Sequence, residues 1–137
     1  MTLQNVSSYA EISAPRIREW LSALLTSLAP TATSLGVRFV GDRAMQEINR
    51  QYRHQYATTD VLSFPGEKTC DGNHVGDILL CVPAARRQAR ALGCDVNREI
   101  RLLLLHGVLH CLGWDHEEDE GEMEKREEKL RDQWLPS

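Results

Sequence analysis

Apolar residues recur at helical spacing along much of the chain, and between these segments they alternate or form short runs. From Ala14 to Ala29 the apolar stripe predicts a helix that faces the core, with Pro15 suited to its first turn. The same criteria, with Asp42 and Asp95 as N-terminal caps and Gly93 as a stop, predict four more helices: Asp42–Arg53, Pro83–Leu92, Asp95–Leu112 and Glu117–Trp134.

Strands are predicted where β-formers alternate or cluster, at residues 3–8, 35–40, 59–64 and 75–82. Residues 66–74 are polar and contain glycines, so they are predicted to form a loop. Four strands and five helices indicate an α+β protein. We expect a single domain over residues 1–137, with a mixed four-stranded sheet and about five helices packed mainly on one face.

Composition places the chain among ordinary globular proteins. Its 137 residues suffice for one domain with a real core, and 42% hydrophobic and 26% charged residues are typical values. No segment approaches the roughly 20 apolar residues of a membrane span, and the N-terminus does not resemble a signal peptide. We therefore expect a cytoplasmic protein without a membrane partner. The four cysteines match no zinc-ribbon or redox spacing, which favours free thiols.

Three of the five histidines lie close together, in the segment His106–His116 with the spacing H-x3-H-x2-G-x2-H. Residues four apart share one face of a helix, so His106 and His110 can bind the same ion. Gly113 can turn the chain back without steric cost, and His116 then supplies a third imidazole. Three histidines with one open position are typical of a catalytic zinc site, and we expect one Zn²⁺ per chain.

The metzincin proteases share this spacing but carry a glutamate after the first histidine as general base. In this chain that position is Gly107, which has no side chain. Because a positioned base contributes about 10²–10⁴-fold, its absence argues against a peptidase of that mechanism. The pattern therefore indicates a hydrolytic metal site for another substrate.

The same segment resembles the H-G-x-L-H-L-x-G-Y-D-H signature of the YbeY-type bacterial rRNA maturation endoribonucleases, with Cys111 for Leu and Trp114 for Tyr. Two further motifs agree: Asn49–Arg53 and Thr59–Pro65 resemble N-x-x-Y-R and T-D-V-L-S-F-P, and Gly76–Ile78 resembles the G-D-I strand. The resemblance covers residues 35–116. It implies an α+β fold and an activity on single-stranded RNA, with 16S rRNA and ribosomal particles as partners, in 16S rRNA 3′-end maturation and ribosome quality control.

Arg53 and His116 are the candidate catalytic residues. The resemblance places Arg53 on a functionally important arginine of the family, and a guanidinium fits phosphate oxygens bidentately. Residues 1–116 carry a net charge of +1 and residues 117–137 a net charge of −5, so the acidity lies at the C-terminus. Arg86, Arg87 and Arg90 form a predicted basic stripe, either a solvated face or a contact for RNA phosphates.

Alternatives remain open at this point. The chain could be a zinc-stabilised ribosome-assembly factor without turnover, or a zinc hydrolase of the metalloprotease type. The acidic helix predicted from Glu117 to Trp134 either covers part of the site or is a solvated face. Asp115 is a candidate to hold a histidine ring or to cap a turn, and no DNA partner is expected.

Overall fold

The computed structural model describes residues 1–5, 8–53, 60–69, 72–113 and 121–135. The strands are β1 (Thr2–Gln4), β2 (Ser34–Val40), β3 (Val61–Pro65), β4 (Lys68–Thr69) and β5 (Gly72–Cys81). The helices are α1 (Ala14–Leu28), α2 (Asp42–Arg53), α3 (Val82–Leu92), α4 (Val96–Cys111) and α5 (Glu122–Trp134).

Four strands form a mixed sheet in the order β1-β2-β5-β3. β1, β2 and β5 run parallel, and β3 is antiparallel to β5 with Ser63 opposite Ile78 and Leu62 opposite Leu79. The short strand β4 forms a hairpin with β5. The predicted mixed four-stranded sheet with five helices in an α+β domain is confirmed.

The main core lies on one face of the sheet. Alternation along β2 points Leu35, Val37 and Phe39 to this face, where each is at most 2% exposed. Helices α1, α3, α4 and α5 all contribute to this cluster, and α4 supplies more of its buried residues than any other helix. Because α4 packs directly on β3 and β5, the C-terminal half of α4 is held at a fixed position over the sheet.

A smaller core lies on the opposite face and is covered by α2. Leu62 and Leu79 are register partners, and Met45 of α2 packs in the same cluster. The rest of this face, over β1 and β2, carries Thr2, Gln4 and Arg38 and lines a cavity of about 290 Å³. The two faces therefore differ: one packs against four helices and the other is partly polar and open.

The predicted loop at residues 66–74 is wrong, because it contains β4 and the first residues of β5. This hairpin is polar, with Lys68 opposite Asn73, and therefore lacks the apolar alternation used to find strands. The predicted strand at 3–8 is shorter and ends at Gln4, and the last helix starts at Glu122. Residues 114–120, which include the predicted start of that helix, lie outside the described residues.

Within the part of the chain that is described, no helix is long and apolar enough to cross a membrane.

Candidate functional site

The C-terminal half of α4 carries the first two histidines of the motif. Asp95 caps the helix, accepting a hydrogen bond from the backbone N–H of Asn97 at 2.8 Å. The helix ends at Cys111, and Gly113 follows with a φ of 88°, a left-handed conformation that suits glycine. The turn predicted at Gly113 is confirmed. His106 and His110 thus lie in the last two turns of α4, where the helix dipole favours a cation.

Both histidines line one cavity of about 210 Å³ between α4 and β3. Its other walls are Gly107 and two residues of β3, Val61 and Ser63. Ser63 faces α4 because its register partner, Ile78, belongs to the main core. The cavity therefore joins the helical histidine pair to the edge of the sheet.

Gly107 is a point of close approach between α4 and the sheet. A Cβ atom at this position would lie 3.0 Å from Cδ1 of Ile78 and 3.1 Å from Oγ of Ser63. A glutamate here would point into the packed sheet and not toward the histidines. Geometry thus adds a second reason, besides the missing side chain, why position 107 cannot supply a general base.

Gly76 of β5 plays the same role at the end of α4. Its φ is 156°, and an added Cβ would lie 2.5 Å from the backbone oxygen of Phe64 and 2.6 Å from Sγ of Cys111. Only glycine lets Cys111 pack here. The Cys111 thiol is consequently half-buried, and its partial withdrawal from water raises its pKa to about 11. A thiol held neutral and directed at Gly76 is a poor metal ligand.

A carboxylate from α5 reaches the first histidine. Oε1 of Glu127 lies 3.1 Å from Nε2 of His106, and the glutamate side chain is only 10% exposed, against 39% for the histidine. Glu127 was not among the residues singled out from the sequence. It lies in a run of charged residues that is typical of a solvated helix, and only the packing of α5 brings it to the site.

The described residues place His106 and His110 together, but they contain no group of three or more His, Cys, Asp or Glu side chains that could hold a metal. His116, the third predicted ligand, and Asp115 lie outside the described residues. Two imidazoles four residues apart on one cavity wall at a helix C-terminus nevertheless suit a zinc ion in donor chemistry and electrostatics.

Arg53 is the last residue of α2, and its side chain lies outside the described part of the structure. The helix that carries it is anchored by Asn49, which is 1% exposed, and by Met45. β3 begins soon afterwards along the chain, at Val61. Along the chain, α2 ends at Arg53, and the next element is β3, which forms a wall of the cavity.

Two of the three arginines in the predicted basic stripe take part in ion pairs within the protein. Arg86 pairs with Glu11, at 2.5 Å, and lies over the ring of Tyr9. Arg87 binds both carboxylate oxygens of Asp42, at 2.7 and 2.9 Å, and this contact lowers the pKa of Asp42. Both side chains remain partly exposed.

Arg90 is exposed and forms no ion pair within the described ranges. Arg90 thus differs from Arg86 and Arg87, which are both ion-paired.

A second polar cluster occupies the open face of the sheet. Oγ of Ser34 lies 2.6 Å from Nδ1 of His74, and Nε2 of His74 lies 3.1 Å from Oδ2 of Asp77. Asp77, the aspartate of the G-D-I motif, is 65% exposed in its side chain. The cluster lies across the sheet from the α4 cavity and does not contribute to it.

A family model described as Endoribonuclease YbeY matches residues 2–135, nearly the whole chain. The chain belongs to the YbeY endoribonuclease family. It is accordingly a nuclease of the hydrolase class.

Two curated proteins named Endoribonuclease YbeY illustrate the relation. The protein from Campylobacter jejuni strain RM1221 is 41% identical over 112 residues, covering 82% of each chain. The protein from Aquifex aeolicus is 38% identical over 116 residues, covering 84% of this chain and 77% of its own. The solution structure of TM1509 from Thermotoga maritima shares the fold, with a TM-score of 0.64 and 25% identity over 97% of this chain and 89% of that one.

Ser63 also lines the cavity of the candidate site in this YbeY-family chain. The sequence places it in the predicted strand at residues 59–64 and assigns it no chemistry. Its position on the cavity wall follows from the register of β3 against β5, which pairs it with Ile78. The T-D-V-L-S-F-P motif was the available signal, but the motif alone does not say which face of the strand Ser63 occupies.

Proposed function

We propose that residues 1–137 form a single zinc-dependent endoribonuclease domain that hydrolyses phosphodiester bonds of single-stranded RNA. The observation that carries this proposal is the cavity shared by His106 and His110, whose floor at Gly107 leaves no room for a protease base. Membership of the YbeY family supports RNA as the substrate.

His106, His110 and His116 would hold the zinc ion. When bound, zinc supplies Lewis-acid polarisation of the phosphate ester and activation of water. The three imidazoles would keep one coordination position open, and Val61 and the buried Gly107 would bound the cavity on one side. His116 is also a candidate catalytic residue, because it completes the ligand set that activates water.

Arg53 is the proposed stabiliser of charge on the phosphoryl oxygens. Its guanidinium matches two phosphate oxygens at once and stays charged throughout the reaction. Arg90 would bind phosphates that flank the cleaved bond on the same RNA strand. The paired Arg86 and Arg87 would bind such phosphates more weakly. Such contacts are independent of base sequence, so they position RNA without selecting a site.

A single strand suits this arrangement. A cavity of about 210 Å³ accepts one phosphate group while the neighbouring nucleotides remain outside. A flexible strand can bend to place that phosphate, whereas a duplex holds its backbone in a fixed geometry. We further propose 16S rRNA 3′-end maturation and ribosome quality control in the cytoplasm as the role, with ribosomal particles as partners, on the strength of the family motifs.

The test is cleavage of a single-stranded RNA by the purified full chain. We expect turnover that is lost when a chelator removes the metal and regained when zinc is added. A protein that binds zinc but never cleaves RNA would indicate the assembly factor without turnover. Cleavage of a peptide substrate under the same conditions would favour the protease. Sequencing of 16S rRNA 3′ ends after depletion of the protein tests the cellular role.

A further inference from the structure

Ser63 presents a hydroxyl group to the cavity that the two histidines of α4 line. Side chains alternate along β3, so Leu62 packs in the small core under α2 while Ser63 faces α4. Oγ of Ser63 would lie only 3.1 Å from a Cβ atom at Gly107. The hydroxyl group is therefore directed at the segment of α4 that carries the histidines.

The hydroxyl group of Ser63 is open to the cavity because position 107 is a glycine. A larger residue there would cover Oγ. Ser63 is half-buried, and within the described ranges its Oγ forms no hydrogen bond. The half-buried serine of β2 differs, since Oγ of Ser34 lies 2.6 Å from Nδ1 of His74. The Ser63 hydroxyl group thus keeps its hydrogen for a ligand in the cavity.

The two walls of the cavity differ in what they offer to a phosphate group. The histidine wall belongs to the C-terminal end of α4, whose carbonyl groups carry a partial negative charge that attracts a metal ion and repels phosphate oxygens. On the β3 wall Val61 has no polar side-chain atom, which leaves Ser63 as the donor of that wall among the described residues. A phosphate in the cavity would therefore find a hydrogen-bond donor on β3.

The strand holds this donor in a fixed position. Ser63 lies in the middle of β3 and pairs with Ile78 of β5, which is 1% exposed in the main core. A donor that is already in place needs no reorganisation when charge develops on an oxygen atom, and hydrogen bonds to charged oxygens are stronger than those between neutral groups. The geometry of Ser63 thus suits an anionic ligand.

We propose that Ser63 is a substrate-binding residue whose hydroxyl group donates a hydrogen bond to a non-bridging oxygen of the scissile phosphate. The hydroxyl group stays neutral and forms no bond to phosphorus. This inference rests on the proposed function, because it requires that an RNA phosphate enter the α4 cavity. It also gives Gly107 a second role, which is to leave the Ser63 hydroxyl group uncovered.

The experiment compares cleavage of single-stranded RNA by the full chain and by three variants. Ser63→Ala removes a hydrogen bond to a charged group and should lower kcat/KM about 10–100-fold, with zinc content and melting temperature unchanged. Ser63→Thr keeps the hydroxyl group on a residue that suits a strand and should recover most of the rate. Ser34→Ala removes a half-buried strand hydroxyl group from the open face and should cleave as the wild type does.

A second readout tests the contact with the phosphate itself. The scissile phosphate is replaced by each of its two phosphorothioate diastereomers, because sulfur is a weak hydrogen-bond acceptor. For one diastereomer the loss of rate should be about 3–10-fold smaller in Ser63→Ala than in the wild type, since the contact that sulfur weakens is already absent. A purely structural role of Ser63 would leave both losses the same in the two proteins.

Wild-type cleavage by Ser63→Ala would overturn the inference, and so would phosphorothioate losses that do not depend on Ser63. Either result with zinc-dependent cleavage by the wild type removes only this inference. Should the wild type bind zinc without cleaving RNA, its affinity for a short single-stranded RNA decides. Weaker binding by Ser63→Ala and not by Ser34→Ala would then remove only the proposed function, whereas equal binding by all three proteins would remove both.

Discussion

Two histidine–carboxylate pairs with the same separation occupy opposite faces of the sheet. His106 and Glu127 meet at 3.1 Å on the helical face, and His74 and Asp77 meet at 3.1 Å on the open face. The carboxylate side chain is 10% exposed in the first pair and 65% exposed in the second. Equal distances therefore describe two different physical situations.

The surroundings decide what each pair can do. An exposed pair is screened by water and contributes about 0–1 kcal/mol, and its partners can separate freely. The pair on α4 and α5 is held by two helices packed on a common core, next to a second histidine and a cavity. Only the environment of the pair on α4 and α5 can fix an imidazole in one orientation, as metal binding and catalysis require.

The largest expected effect separates the two histidines. His106→Ala should lower cleavage of single-stranded RNA by at least about 10³-fold, because the metal that activates water is lost. His74→Ala removes a ring of the open-face pair and should stay within about twofold of the wild-type rate, since an exposed pair contributes little. Steady-state cleavage assays at equal protein concentration and equal added zinc make the measurement. Equal losses in both variants would contradict the distinction between the faces.

Arg53, the last residue of α2, is a candidate that acts on the substrate and not on the metal. Arg53→Ala should lower the cleavage rate by about 10²–10³-fold with zinc content and melting temperature unchanged, because charge on the phosphoryl oxygens loses its stabiliser. Arg53→Lys should recover only part of the rate, since an ammonium lacks the bidentate fork. Arg50→Ala on the same helix, an exposed residue paired with Glu47, is the control. Near wild-type cleavage by Arg53→Ala removes this residue from the mechanism.

Two glycines of neighbouring strands test how rigid each face is. Gly76→Ala forces a Cβ onto the Phe64 backbone and the Cys111 thiol at a positive φ, so the free energy of unfolding should fall by about 3 kcal/mol or more. Gly36→Ala meets only the exposed carboxylate of Asp77, which can move aside, and should change it by less than about 0.5 kcal/mol. Urea denaturation of both variants is the measurement, and similar losses would show that the open face is as tightly packed.

Glu99 of α4 is a carboxylate that is buried without a hydrogen-bond partner for each of its oxygens among the described residues. It is 3% exposed, and Oε2 has no hydrogen-bond partner among the described residues. Burial, assisted by the negative charge of Asp60, raises its pKa. A raised pKa in the folded state means that this group favours folding at low pH and that the benefit disappears as pH rises through the folded value.

Glu99→Gln should therefore become more stable relative to the wild type as pH rises from about 4 to 7, by less than the loss in Gly76→Ala. Unfolding free energies at several pH values test this, with Glu128→Gln as the exposed control. Parallel pH profiles for the wild type and Glu99→Gln would show that Glu99 is not stabilised in its neutral form.

Much of the fold could be predicted because its signals are local. The apolar stripe of α1, the Asp95 cap of α4 and the glycine stops after α3 and α4 act within a few residues, and each lies where its pattern indicates. The hairpin of β4 and β5 was missed because its pairing, Lys68 with Asn73 and Thr69 with Gly72, involves polar residues.

The residues of the candidate site also fall into two groups, those that a local pattern predicts and those that depend on long-range packing. His106 and His110 are found from helical spacing alone, whereas Ser63 depends on strand register and Glu127 on how α5 packs across the molecule. Such contacts join residues far apart in the chain, and no local pattern encodes them. The arginine stripe is a case in which the local charge pattern is evident but incomplete. The sequence shows the three arginines, but it does not show that two of them pair with Glu11 and Asp42.

The most direct test of the central claim, that the histidines of α4 form the metal centre, is zinc analysis combined with X-ray absorption at the zinc edge. We predict one zinc per chain with histidine nitrogens at about 2.0–2.1 Å, lost in His110→Ala and retained in His74→Ala. A reconstituted protein without zinc, or one that loses zinc with His74 and keeps it without His110, would contradict the account.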